Sequence, residues 1–174
     1  KQVIGTSVQV SGVVIVPSGA LFSFMGDSGF VIQNGTYGIF VATVEDIGFS
    51  VGDTAVVHGT LEEIHKNKVI RAARIGYAPA VARVEIEPSW EETGQVGPED
   101  GGRLIQVIGM VTKPVSRDAS ESWNLYLNDG TGSVLVFFPA SGGIDPTDIF
   151  VISKGDWIEV TGFSTSYEGV PEII

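Results

Sequence analysis

Cysteine is absent from this chain of 174 residues. That excludes a disulfide framework, a thiolate zinc site and a cysteine nucleophile. Histidine occurs twice, at His58 and His65, and a zinc site built on them would need carboxylates that no local pattern supplies, so no metal is expected. No run approaches the ~18 apolar residues of a membrane-spanning helix, and no basic stretch followed by an apolar one opens the chain, so membrane insertion is not expected. Positive charge is scarce: 10 Lys and Arg face 21 Asp and Glu, for a formal net charge of −11. Such a surface repels phosphates over a Debye length of ~8 Å, which disfavours tight nonspecific binding of duplex DNA. Also missing are Gly-x-x-x-x-Gly-Lys-Ser/Thr, His-Glu-x-x-His and Gly-x-Ser-x-Gly, the parts of phosphate-cradle, zincin and hydrolase-elbow chemistry. Glu62-Glu63 and Glu91-Glu92 are adjacent carboxylates whose side chains diverge, so they read as solvated charge. No catalytic residue and no cofactor are expected.

Glycine is plentiful instead, with 23 residues against a usual share of about 7%. The apolar residues are rich in Val and Ile, so the composition favours many short strands joined by tight turns. An internal repeat organises them. Val8-Gln9-Val10-Ser11-Gly12-Val13-Val14 matches Ile105-Gln106-Val107-Ile108-Gly109-Met110-Val111 at an offset of 97. The run from Phe30 to Val41 matches Leu125 to Val136 without a gap at an offset of 95. Gly52-Asp53-Thr54-Ala55-Val56-Val57-His58-Gly59 matches Gly155-Asp156-Trp157-Ile158-Glu159-Val160-Thr161-Gly162 at an offset of 103. The blocks keep their order and the offsets change only where loops lengthen, which predicts two copies of one unit.

Within each copy the blocks read as strands. Gly12 interrupts the first and predicts a bulge or bend. Apolar alternation around Asn34-Gly35 and around Asp129-Gly130 predicts a hairpin in each copy. Gly52-Asp53 and Gly155-Asp156 turn into a fourth strand, and Val69 to Ile75 supply a fifth. Five short strands with a bent first strand can close on themselves and remove their edges. In Ile144-Asp145-Pro146-Thr147-Asp148 the Asp before Pro predicts a capped short helix between strands three and four of the second copy. Asp145 and Asp148 lack the Asp-x-Asp-x-Asp-Gly order of a calcium loop.

A Gly-interrupted first strand, the Phe-x-Ile-Gln-Asn hairpin and a Gly-Asp-x-x-x-Val-x-Gly fourth strand together resemble the oligonucleotide/oligosaccharide-binding (OB) fold. The chain is similar to the tandem OB repeats attached to bacterial extracellular nucleases and to secreted or lipid-anchored proteins. The resemblance spans Val8 to Ile75 and Leu104 to Ile174 and implies an all-β chain of two five-stranded Greek-key barrels. It implies a first barrel at residues 1–76, an acidic Pro-containing ordered connector at 77–102 and a second barrel at 103–174. At the 103 offset Ile173 matches Ile70, so the second copy's last strand should be the shorter. In the connector, Pro88-Ser89-Trp90-Glu91-Glu92 predicts one helical turn, and the apolar area of Val84, Ile86 and Trp90 predicts burial between the barrels.

An OB barrel binds along the outer face of strands two and three, rimmed by the loops joining strands one and two and strands four and five. Inward Phe30, Ile32, Ile39 and Val41 would leave Val31, Gln33 and Phe40 outward; the second copy would expose Tyr126, Asn128, Leu135 and Phe137. Exposed rings on such a platform stack on bases or sugars at ~1–3 kcal/mol each. The competing placement packs them against the other barrel or the connector, which cores of small barrels favour. Residues 1–76 carry a net charge of −1, the connector −5 and residues 103–174 −5. Bases cluster only at Lys66, Lys68, Arg71 and Arg74, where a nucleic-acid-binding OB fold would want them. The resemblance therefore implies a noncatalytic binding module within a larger extracytoplasmic protein: secreted, periplasmic or lipid-anchored. Its implied ligand is single-stranded DNA or RNA, bound by Phe22, Phe24, Gln33, Tyr37, Phe40, Lys66, Lys68, Arg71 and Arg74. The alternative is a protein- or oligosaccharide-binding module without nucleic-acid affinity, using Tyr126, Asn128, Leu135 and Phe137.

Overall fold

The computed structural model describes residues 3–22, 28–45, 47–78, 82–97 and 101–174, with the side chains of Leu21 and Phe22 left out. Among the described residues the chain is all-β apart from a short helix and a 3-10 turn. Its first half runs β1 (Ser7–Phe22), β2 (Ser28–Asn34), β3 (Tyr37–Ala42), β4 (Thr54–Ile64) and β5 (Asn67–Tyr77). They close into a five-stranded barrel in the order β1-β2-β3-β5-β4. Closure depends on the long first strand. Ser7 to Val13 pair with β4, Val13 to Phe22 pair with β2, and the register shifts twice beyond Val14. Gly12 sits at the changeover, where a Cβ would lie 2.9 Å from the Gln33 carbonyl oxygen; only glycine lets the strands approach so closely. Asn34 pairs with Tyr37 across the predicted hairpin, and Gly35 takes φ +59° in its turn, a left-handed conformation that glycine adopts without a Cβ penalty.

Phe30, Ile32, Val41, Val57, Leu61 and Ile70 fill the interior, with Ile39 packed against them. No helix intervenes between β3 and β4 among the described residues. Phe49 stops that end of the barrel instead, its ring 5.1 Å from Phe30 and 4.5 Å from Tyr77.

The second half comprises β6 (Ser89–Trp90), β7 (Leu104–Val111), β8 (Ser116–Arg117), β9 (Trp123–Asn128), β10 (Ser133–Phe138), α1 (Pro146–Phe150), β11 (Trp157–Tyr167) and β12 (Val170–Ile173). They form a seven-stranded sheet, β6-β7-β11-β12-β10-β9-β8, with an additional β7–β9 pairing. Ile105, Val107, Leu125, Leu127, Val134, Val136 and Ile173 line its core. α1 starts as the Asp-Pro pair predicts, with Asp145 accepting from the Thr147 N–H at 2.8 Å. The last strand has 4 residues against 11 in β5, the shortening expected from the repeat offset.

The connector corrects two expectations. Ser89 and Trp90 form an edge strand parallel to β7 rather than a helical turn, because their backbone groups pair with Ile105 and Gln106. Trp90 and Val84 are exposed, and of the three apolar connector residues only Ile86 joins the contact between the halves. What holds the connector is polar and local. Thr93, buried, donates its hydroxyl to Asp129 at 2.8 Å, and its N–H donates to the same carboxylate at 2.9 Å. The Val84 N–H reaches the Gly52 carbonyl at 2.9 Å.

Candidate ligand face

On β2 and β3 the outward side chains are Val31, Gln33 and Phe40, as alternation requires. Val31 and Gln33 are buried and Phe40 is half-buried. Val31 is fully buried and forms a cluster with Ile15 and Phe163, against which Phe40, Ile86, Leu104 and Ile174 pack. Gln33 accepts from the Leu104 N–H at 2.7 Å through its side-chain oxygen and donates to the Gly35 carbonyl at 2.9 Å. Its oxygen ties the two halves together and its amide nitrogen braces its own hairpin. Gly38 and Gly102 touch backbone to backbone at the same seam. The expectation that Gln33 and Phe40 offer an open platform is therefore corrected: a small barrel gains more by burying this apolar face against its neighbour than by solvating it. Tyr37 stands 79% exposed at the hairpin end. Phe22 ends β1 with its side chain not described, and Phe24 lies outside the described residues.

The basic cluster is divided. Lys66, at φ +66° in the β4–β5 turn, donates to the Glu168 carbonyl at 2.9 Å, and His65 Nδ1 lies 3.0 Å from the Glu168 carboxylate. Asn67 bonds Ser166 beside them. Hydrogen bonding by His65, and then the Lys66 charge, hold the Glu168 carboxyl below the usual carboxylate range. This turn is thus a clasp between the halves. Arg71 pairs with Glu62 at 2.9 Å. Lys68 and Arg74 are exposed, opposite Glu63 and His58 respectively on β4. Acidic partners therefore offset much of the positive charge that the sequence places here.

The corresponding outer row of the second half is more open. Asn124, Tyr126 and Asn128 of β9 stand opposite Phe137, Leu135 and Ser133 of β10, and all but the exposed Ser133 are half-buried. Alternate residues Leu125 and Leu127 point into the core, which fixes the direction of this row. Lys113 places its ammonium 3.8 Å from the centroid of the Tyr126 ring, a cation–π contact. Nearby, Arg117 lies 5.2 Å over the Trp123 ring, and Phe150 meets Trp123 edge-on at 5.2 Å. The hairpin below is rigid. Asp129 accepts from Thr131 as well as Thr93, and these hydrogen bonds hold its carboxyl far below the ordinary range despite desolvation.

Tyr126, Asn128, Leu135 and Phe137 thus lie together as expected, whereas Lys113 and the Arg117–Trp123–Phe150 group were not anticipated. Lys113 follows β7 by two residues. A cation at the start of the loop between strands one and two of the second copy was the available signal. Among the described residues no group of three His, Asp or Glu could hold a metal ion.

No family model and no curated protein matches the chain. Among solved structures, it is similar at 11% identity to a murine DNA binding protein bound with ds DNA, covering 95% of this chain and 89% of that one at a TM-score of 0.48. The p204 HINb domain matches at 12% identity over 98% and 92%, with a TM-score of 0.43. OBody AM3L09, bound to hen egg-white lysozyme, matches at 16% identity over 51% of this chain and 90% of its own, with a TM-score of 0.42. The fold assignment rests on the strand order and pairing described above. The first half has an OB-type barrel.

Proposed function

We propose that this chain is a noncatalytic binding module for single-stranded nucleic acid, and that its ligand face is the outer β9–β10 row of the second half. The reading takes the halves as two OB-type barrels at residues 1–76 and 103–174, joined by the connector 77–102. In the second, the β7–β9 pairing would close the ring in the same neighbour order as the first. The carrying observation is the half-buried row around Tyr126 with Lys113 against its ring, while Val31 and Gln33 of the first half's row are buried. One base would stack on Tyr126 and a second on Phe137, with Asn124 and Asn128 facing base edges and Lys113 meeting a phosphate.

One cation on a half carrying −5 supports a ligand with few phosphate contacts. Anisotropy of a labelled oligo(dT), titrated with salt, tests this. The log–log salt slope should be about −0.7 to −1.4, that of one or two neutralised phosphates. Tyr126→Ala should weaken binding by about 1–3 kcal/mol, and Lys113→Ala should flatten the slope. Equal binding by wild type and both variants would overturn the reading. Saturable binding of a neutral oligosaccharide in place of oligo(dT) would favour the oligosaccharide alternative, which the single cation of the face also suits. We place the parent protein outside the cytoplasm on the strength of the tandem-repeat resemblance.

A further inference from the structure

A second exposed apolar surface adjoins the β9–β10 row, where Met110 of β7 pairs with Asn128 and the Phe150 ring meets Trp123 edge-on. The chain from Ile144 to Trp157 carries α1 and the turn into β11. Only Ile149 of α1 is buried. Phe150 is 68% exposed, Val151 76% and Trp157 61%, with Ile144 also exposed. Met110, exposed on β7, is paired directly opposite Trp157. The turn between Val151 and Trp157 is fixed: the Ser153 N–H donates to Asp156 at 2.8 Å, and the Asp156 N–H returns to the Ser153 carbonyl at 3.1 Å. Phe150 and Val151 on one side and Trp157 on the other therefore flank one ordered turn. Single exposed apolar residues are ordinary, but several large ones on one short ordered segment mark a contact surface.

The charges around it decide what kind of partner fits. Asp145, Asp148 and Asp156 share the segment with one base, Lys154. Asp145 is held ionised by its hydrogen bonds from Thr147. A second copy of the chain, an anionic lipid surface or a nucleic acid would bring negative charge against this acidic rim and against a whole-chain charge of −11. A cationic amphipathic segment would instead bury its apolar side on Phe150, Val151 and Trp157 and place its bases near the aspartates.

We propose that the Ile144–Trp157 segment with Met110 is a docking surface for a basic amphipathic helix of another protein. It is independent of the nucleic-acid reading. The probe is a fluorescein-labelled peptide of 18 residues, about five helical turns, with Leu and Lys on opposite faces; the control replaces Lys with Glu. The Leu/Lys peptide should bind saturably and blue-shift tryptophan emission, and the Leu/Glu peptide should not bind. Val151→Ser/Trp157→Ser, which changes no charge and leaves the Phe150–Trp123 contact in place, should weaken Kd about tenfold or more, while oligo(dT) binding persists. Val151→Ser alone should weaken it several-fold, and far-UV circular dichroism checks that each variant is folded. Unchanged peptide affinity in a folded variant would reduce the effect to diffuse attraction and overturn the proposal. Equal binding of both peptides would do the same. Concentration-dependent dimerisation abolished by the double variant would also overturn it, because a second copy would then be the occupant.

Discussion

Glu172 is the residue whose chemistry departs furthest from its sequence context. It is 3% exposed on β12, and among the described residues its Oε1 has no hydrogen-bond partner. Burial pushes its carboxyl up to about 7. Because the folded state holds this proton more tightly than the unfolded chain, stability is greatest below the ordinary carboxylate range. It falls as pH rises from about 4.5 towards 7, where the unfolded chain ionises first. The shift corresponds to at most about 3 kcal/mol, lowered by solvent screening. Glu172→Gln should therefore raise Tm at pH 8 relative to wild type and leave it almost unchanged at pH 4; thermal melts across this range check it. Asp129 has the opposite character. Its carboxylate serves Thr93 and Thr131 together, so Asp129→Ala strands the buried Thr93 N–H, while the Thr93 hydroxyl keeps the Gly132 carbonyl at 2.7 Å. A loss of about 1–3 kcal/mol in urea unfolding is expected, with faster amide exchange at Thr93.

At the scale of elements, glycines decide which strands can meet. Gly59 of β4 lies against β5 where the register shifts beyond His58, and an added Cβ would overlap the Arg71 carbonyl. Backbone cannot yield as a flexible side chain can, so Gly59→Ala should force apart β4 and β5. Several kcal/mol of destabilisation is expected, of the order of severe overpacking, about 1–3 kcal/mol or more; denaturant titration measures it. Gly76, near the end of β5, meets nothing within 4 Å, so Gly76→Ala is the control and should leave stability within about 0.5 kcal/mol. The strands themselves were readable because alternation and turn glycines are local signals. β6 was not readable. A Ser-x-acid pattern after proline is a good helix start, but the free edge of β7 offered Ser89 and Trp90 backbone partners that no local pattern encodes.

At the scale of the whole molecule, the described residues join the halves through an apolar cluster, a backbone seam, the Gln33–Leu104 hydrogen bond and a polar clasp. Phe163 is the central β11 side chain of the cluster, and the clasp runs from His65 and Lys66 to Glu168. Phe163→Ala removes a buried ring, at a cost of about 3–5 kcal/mol. Calorimetry should then show two transitions in place of one cooperative transition. Glu168→Ala, on an exposed carboxylate, should alter coupling only slightly. A single unshifted transition in Phe163→Ala would show that the halves do not depend on this contact.

The sequence by itself determined the strand alternation, the hairpins and the capped helix, because these depend on side-chain period and turn chemistry within a few residues. It also grouped Tyr126, Asn128, Leu135 and Phe137, which share one hairpin. Which of the two hairpin faces stays open was decided only by the tertiary structure. Val31, Gln33 and Phe40 look as suited to solvent as Tyr126 and Leu135 when each hairpin is read alone. The difference comes from Phe163, Leu104 and Ile174, far along the chain, which bury Val31 on the first face, while Tyr126 and Leu135 of the second stay half-buried.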